Sequence, residues 1–226
     1  MIGKYVTNTY EIKDAYQNII LNLKDAKVNI EPSDNDSTKV VFFEKKRRPY
    51  EVLVQDGALT IKPKKAKWYN FLRIGIDRSE IKVYVPKSAL DGISVKSNVG
   101  RVSISSINCS GTIDIQTNTG KIDLENVSCE IFESKGNCGH TTLGGLIAKK
   151  SISIKRNTGK VLLNNCSAPE IFVKTNTGRV GGQLPSNTVF VIRTNTGKIE
   201  IPKAPIGEAI GGRCEIKTNT GNIKFE

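Results

Sequence analysis

The sequence holds one histidine, one tryptophan and one methionine, and aromatic residues make up 6% of it. A single histidine, His140, gives little support to a histidine-rich metal site or a Ser-His-Asp triad. So few rings argue against a large aromatic core and a base-stacking platform. The five cysteines are Cys109, Cys129, Cys138, Cys166 and Cys214. Their number is odd and no CxxC spacing occurs, which argues against a disulfide framework or a zinc site. They read as small buried hydrophobes of a reducing compartment. No run approaches the roughly eighteen apolar residues of a membrane-spanning helix. Met1 to Gln17 is polar and lacks the apolar stretch of a signal peptide. These features fit a cytoplasmic protein, and equally an envelope-associated one whose leader has been trimmed.

Acidic residues are scarce as well. There are 22 Asp plus Glu against 34 Lys plus Arg, a net charge of +12. The excess favours anionic partners such as nucleic acid, anionic polymers or lipid headgroups. A soluble basic protein without such partners has the same composition. At 38% hydrophobic, the chain can fill a thin two-sheet core rather than a thick one.

What is abundant is repetition. Asn-x-Gly recurs with glycines at Gly100, Gly120, Gly139, Gly159, Gly178, Gly197 and Gly221, spaced 20, 19, 20, 19, 19 and 24 residues apart. Seven residues before each glycine stand Ile93, Ile113, Phe132, Ile152, Ile171, Phe190 and Cys214. Five before stand Val95, Ile115, Ser134, Ile154, Val173, Ile192 and Ile216. Two after stand Val102, Ile122, Thr141, Val161, Val180, Ile199 and Ile223, and four after stand Ile104, Leu124, Leu143, Leu163, Gly182, Ile201 and Phe225. Apolar residues two apart with polar ones between are the strand period. Ile107, Val127, Leu146, Cys166 and Leu184 mark a second corner. Glycine accepts positive φ, Asn tolerates the left-handed region, and stacked Asn side chains can bond from rung to rung.

Asn-Thr-Gly could also close the hairpins of an antiparallel meander. A meander gives no reason for a constant period with the same residue type in every column, whereas stacked coils require both. The expected fold is therefore all-β, a right-handed parallel β-solenoid (β-helix or β-roll) of about 20 residues per coil with Asn-Thr-Gly corners. Residues 93–226 form its regular repeats, and 1–92 its irregular β-rich start within a single continuous domain. In that start, Asn18 to Ile30, Lys39 to Glu44, Glu51 to Val54, Ala58 to Lys62 and Glu80 to Val85 read as strands, and Asp56-Gly57 as a turn. Arg47 to Pro49, Lys62 to Lys67 and Pro202 to Gly212 read as surface loops. Asn222 to Glu226 reads as a last strand whose edge is open to pairing with another copy.

The stretch Ile81-Lys-Val-Tyr-Val-Pro-Lys87, then Ile93-Ser-Val-Lys-Ser97, then the Asn-Thr-Gly repeats, resembles the bacterial β-strand-repeat family called "putative adhesins", a family of unknown function. The likeness covers nearly the whole chain, including Lys27-Val-Asn-Ile30. It implies a parallel β-solenoid from a bacterium. It carries no catalytic residue over to this sequence.

Few residues suggest chemistry, and no cofactor is expected. Asp114, Asp123, Glu133, Glu200 and Glu215 face outward by the alternation and stand singly among lysines and threonines. They fit a solvated face better than the paired carboxylates of a glycosidase. A carbohydrate-active enzyme on a parallel β-helix is the alternative to a non-enzymatic binding or scaffold module. Asn-Thr-Gly-Lys lacks the spacing of a phosphate loop.

Two columns of cations are more informative. Four residues before the glycine stand Lys96, Lys135, Lys155, Lys174, Arg193 and Lys217, with Gln116 in the second repeat. One after it stand Arg101, Lys121, Lys160, Arg179 and Lys198, with His140 and Asn222 interrupting. Stacked, these eleven cations line one edge over about 29 Å. Such a ridge suits an anionic polymer or surface, or another protein, without sequence-specific nucleic-acid readout. The same pattern also serves to block sheet aggregation and keep a face solvated.

Overall fold

The computed structural model describes residues 5–45, 50–64, 79–88, 90–203 and 212–226. Every regular element among them is a strand. The irregular start holds β1 (Tyr5–Ile12), β2 (Asn18–Pro32), β3 (Thr38–Lys45), β4 (Tyr50–Gln55), β5 (Ala58–Pro63) and β6 (Ser79–Val85). The repeats begin with two long strands, β7 (Leu90–Ser105) and β8 (Cys109–Glu125). They continue as β9 (Ser128–Cys138), β10 (Thr141–Gly144), β11 (Ile147–Thr158), β12 (Val161–Asn164), β13 (Glu170–Thr177) and β14 (Val180–Gln183). Last come β15 (Val189–Thr196), β16 (Ile199–Glu200), β17 (Arg213–Thr220) and β18 (Ile223–Phe225). All belong to one mixed 18-stranded sheet. Of the expected loops, Arg47 to Pro49, residues 65–67 and residues 204–211 lie outside the described residues. Lys62 is not loop but strand, in β5, where it reaches Glu51 of β4 at 3.4 Å.

The repeats pair in parallel, like on like. Between β7 and β8, Ile93 lies beside Ile113, Val95 beside Ile115, Gly100 beside Gly120 and Val102 beside Ile122. Two ladders result, one on each side of the glycine. Before it run β7, β8, β9, β11 and β13 in succession. After it run β7, β8, β10, β12 and β14. The columns read as apolar are the interior: Ile113, Ile115, Ile122, Ile152, Ile154, Val161 and Leu163 are fully buried, as are Leu146 and Cys166 of the second-corner column. Burying this apolar surface is the main stabilising term, since neither ladder can hide its inner face without the other.

The glycine column has a cause beyond backbone freedom. A Cβ on Gly120 would overlap the carbonyl oxygen of Gly100, and one on Gly159 the carbonyl of Gly139. Neighbouring rungs approach too closely here for any side chain. Beside the glycines, Asn118 donates to Asn98 (3.2 Å), Asn157 to Asn137 (3.0 Å), and Asn219 to Asn176. The second corner is marked by Ser106, Asn126, Gly145 and Asn165, all at φ of 52–62°. That is the left-handed region, which Asn and Gly tolerate best.

Residues before 92 have two features of their own. First, β2 is an eighth repeat: Ile19, Leu21, Ala26, Val28 and Ile30 pair with Ile93, Val95, Gly100, Val102 and Ile104 of β7. Its Lys24-Asp25-Ala26 in place of Asn-x-Gly concealed it. β5 and β6 continue its two ladders in parallel. Second, the outermost strands reverse direction. β4 runs antiparallel to β5, β3 to β6 and β1 to β3. Asp56 and Gly57 both take positive φ (51° and 70°), as a tight hairpin between β4 and β5 requires.

At the other end the rung order departs from the chain order. β17 and β18 lie between β13/β14 on one side and β15/β16 on the other. The strand ending at Phe225 is thus hydrogen-bonded on both edges within the chain. The outermost rung is β15/β16 instead. Its core-type residues Ile199 and Ile201 are 46% and 41% exposed, whereas Ile223 is fully buried.

Candidate functional site

The cation column before the glycine is real as a ladder. Register runs from Lys96 to Gln116, Lys135, Lys155, Lys174, Lys217 and Arg193. Five cations from Lys135 to Arg193 therefore occupy consecutive rungs, Lys217 preceding Arg193 because of the exchanged rung order. After the glycine, Arg101 pairs with Lys121. Backbone bonds then tie Ile122 to His140, Thr141 to Lys160, Val161 to Arg179, Val180 to Asn222 and Ile223 to Lys198. Lys27 of β2, beside Arg101, extends this second column by a rung.

Lys160 and Lys217 are half-buried and the other nine predicted ridge residues are exposed. Three have carboxylate partners: Arg101 with Asp123 (2.7 Å), Lys135 with Glu133 (3.5 Å), and Lys217 with Glu215 (2.5 Å). The Lys217 hydrogen bond, first, and the nearby Arg213 and Arg193 charges hold the Glu215 carboxyl below its usual range. Among the described residues, Lys96, Lys121, Lys155, Lys160, Lys174, Arg179, Arg193 and Lys198 form no salt bridge.

Phe172 escaped the sequence reading. Its outward position in β13 sets the ring between two ridge lysines, with Lys155 Nζ at 5.9 Å and Lys217 Nζ at 5.5 Å from its centroid. A phenyl face attracts such cations and fixes their positions. An aromatic residue at an outward strand position was the signal. His140 is exposed, and its Nδ1 accepts the Lys160 N–H at 3.1 Å.

Each of the outward carboxylates Asp114, Asp123, Glu133, Glu200 and Glu215 has a side-chain partner. Asp114 and Glu133 are register partners. However, Asp114 Oδ2 accepts a bond from Gln116 at 2.7 Å, and Glu133 is held by Lys135. Asp123 is taken by Arg101, Glu215 by Arg213 and Lys217, and Glu200 lies 3.7 Å from Lys224. Beside the second column runs an open trough of about 700 Å³, lined by Arg101, Ile104, Asp123, Leu124, Asn126 and Asn164 among others. Among the described residues no three His, Cys, Asp or Glu side chains stand close enough to hold a metal ion. The cysteines are free. Four are buried and Cys138 is half-buried.

Among the described residues two charged side chains lie inside, Glu44 (1% exposed) and Arg156. Arg156 is 4% exposed. It donates to Thr141 Oγ1 (3.0 Å), Thr117 Oγ1 (2.9 Å) and Ser134 Oγ (3.1 Å), hydroxyls all. Burial lowers its pKa to about 10 from 12.5, so it remains charged at neutral pH.

The family model described as Toastrack DUF4097 matches residues 16–226. The chain belongs to the Toastrack DUF4097 family. Among solved structures, it is similar over 99% of its length to 97% of a "putative adhesin" from Bacteroides fragilis, with a TM-score of 0.55 and 18% identity. It also aligns over 98% of its length with 99% of a "putative cell adhesion protein" from Clostridium sporogenes (TM-score 0.42, 13% identity). A "putative lipid binding protein" from Parabacteroides distasonis aligns over 99% of this chain and 98% of that one (TM-score 0.38, 15% identity). At these identities the Bacteroides fragilis likeness shows the fold alone. No curated protein matches the chain. Among the described residues no helix is long and apolar enough to cross a membrane.

Proposed function

We propose that the chain is a non-enzymatic binding module that holds anionic polymers or anionic surfaces along its two cation columns. In this reading it is a right-handed parallel β-solenoid of about 20 residues per coil, turning at the Asn-Thr-Gly tripeptides and working adhesin-like at a bacterial envelope.

One observation carries the reading: Lys135, Lys155, Lys174, Lys217 and Arg193 occupy consecutive rungs. Strand neighbours are about 4.8 Å apart, inside the Debye length of about 8 Å, so salt does not hide their mutual repulsion. Like charges directly opposite in a sheet are unfavourable. Glu133 and Glu215 relieve Lys135 and Lys217, and Glu215 also lies near Arg193, but among the described residues no carboxylate forms a salt bridge with Lys155 or Lys174. A polyanion laid across the rungs supplies that counter-charge and releases its own counterions. The test is retention on heparin, teichoic acid or DNA as salt rises, for the protein and for Lys155, Lys160, Lys174 and Arg179 all changed to Glu. Lost retention with an unchanged circular dichroism spectrum supports the reading, and equal retention removes it.

A further inference from the structure

Two rungs of this chain fit the same place. By spacing, β15/β16 belongs directly on β13/β14, since Gly197 follows Gly178 by 19 residues, as Gly178 follows Gly159. The rung found there is β17/β18. Ile171 and Val173 pair with Cys214 and Ile216, and these pair in turn with Phe190 and Ile192. The two rungs match at the inward columns and at the glycine, Thr194 to Gly197 with Thr218 to Gly221, Ile199 with Ile223 and Ile201 with Phe225, and at the outward Arg193 and Lys217, while Val189 and Val191 stand beside Arg213 and Glu215.

We propose that the slot between β13/β14 and β15/β16 is a strand-binding site, and that β17/β18 of a second copy occupies it as the chain's own does. Two copies then exchange these rungs and form a dimer. Recognition in the slot is mostly backbone ladder on both edges, which an identical strand from another chain reproduces bond for bond. Specificity comes from the inward Cys214, Ile216, Ile223 and Phe225, all buried in the slot, and from Gly221, where any Cβ would overlap the carbonyl of Gly178. A second copy has the same residues by definition, so no other partner matches every column as well.

Vacating the slot has an unusually small cost. β15/β16 can close it by moving one rung and meeting the columns its spacing already suits. The opened chain therefore loses one rung of pairing rather than two. The connection from Ile201 to Gly212 is the longest between any two of the seven Asn-x-Gly repeats, as the spacing of 24 residues from Gly197 to Gly221 records. A connection of this length is long enough for the strand to reach a neighbouring chain.

The experiment reads the Asn176–Asn219 contact, in which the Asn219 amide donates to Asn176 in the slot. It uses the full chain with Cys138→Thr, which removes the one half-buried thiol. N176C/N219C in a single chain should form an intrachain disulfide, since the two positions face each other. N176C and N219C are then placed on separate chains of different mass, mixed at high concentration and oxidised. Exchange gives a mixed-mass disulfide dimer whose yield grows with time and concentration. That yield should stand several-fold above the yield for N219C mixed with Lys13→Cys, an exposed position far from the slot. A yield no higher than this collision control overturns the proposal. So does failure of the intrachain disulfide, because the slot would then be filled by another rung.

Discussion

The guanidinium of Arg156 fills the space that a side chain on Gly136 would need. Gly136 pairs with Thr117 on one side and with Arg156 on the other. Arg156 thus reaches across the glycine to the Thr117 hydroxyl, two rungs away. Other inward positions of this column hold Ser97, Thr117, Thr175 and Thr218. The pair is a large residue made possible by the absence of one beneath it. Gly136→Ala should destabilise by about 3 kcal/mol or more, through overlap with both Arg156 and the Thr117 carbonyl. Arg156→Thr should cost about 1–3 kcal/mol, because three hydroxyls lose their donor. The double variant should be less destabilised than the sum by about 1–3 kcal/mol, as expected of residues in contact. Urea unfolding of the four proteins measures this, and strict additivity would contradict the contact.

Rung order makes an opposite prediction from chain order. Ile223 is fully buried, and Ile199 in the same column is 46% exposed. Ile223→Ala should cost about 2–5 kcal/mol, as buried truncations do. Ile199→Ala should cost under about 1 kcal/mol. If β15/β16 lay inside and β17/β18 outside, the ranking would reverse, and thermal melts of the two variants are enough to tell.

The thiols should make the protein sensitive to alkali. Burial pushes Cys129 and Cys214 up to about 12 and Cys166 up to about 11, against 9.0 ordinarily. Unfolded thiols ionise first, so above their ordinary pKa the folded chain binds more protons. This stabilisation is complete below about pH 9 and is lost as pH rises towards 12. Each thiol contributes a slope of up to about 1.4 kcal/mol per pH unit. Arg156, lowered to about 10, acts in the opposite direction between there and 12.5. The interval between about pH 9 and 10 therefore isolates the thiols. Urea midpoints across it should fall, and should fall less steeply for Cys214→Ala. An equal slope in that variant would show that Cys214 is not shielded in the fold.

The ridge predicts a countable salt effect. Each lysine or arginine engaged on double-stranded DNA steepens the logarithmic salt slope by about 0.9. Changing Lys155, Lys160, Lys174 and Arg179 to Gln should lower that slope by up to about 3.6. DNA of different sequences should bind alike, since no base-reading element is present among the described residues. A slope unchanged by the four substitutions would place binding elsewhere.

Much of this was legible in the residues. Periodicity marked the inward columns from Ile93 to Phe225, and the same columns pair in register in the structure. β2 was read as a strand but not as a repeat, because Lys-Asp-Ala stands where the tripeptide was sought. β1 went unnoticed since its alternation is weak and much of it is exposed. Arg156 could have been found: it is the one cation in an inward Ser/Thr column, one rung above a glycine. Phe172 needed only the question of why an outward position is aromatic.

By itself the sequence determined the strand period, the like-on-like stacking and the place of the repeat glycines. All three follow from local alternation and from close approach between identical rungs. Tertiary structure alone decided which rung lies inside. Val189–Glu200 and Arg213–Phe225 present apolar residues to the same inward columns and the same Thr-Asn-Thr-Gly between them, so the inward pattern does not rank them. Which one fills the slot depends on backbone pairing and burial summed over both neighbouring rungs, and those neighbours exist only once the chain has folded. The antiparallel β1, β3 and β4 were settled in the same way, because strand direction is a property of the partner that a strand finds and not of its own alternation.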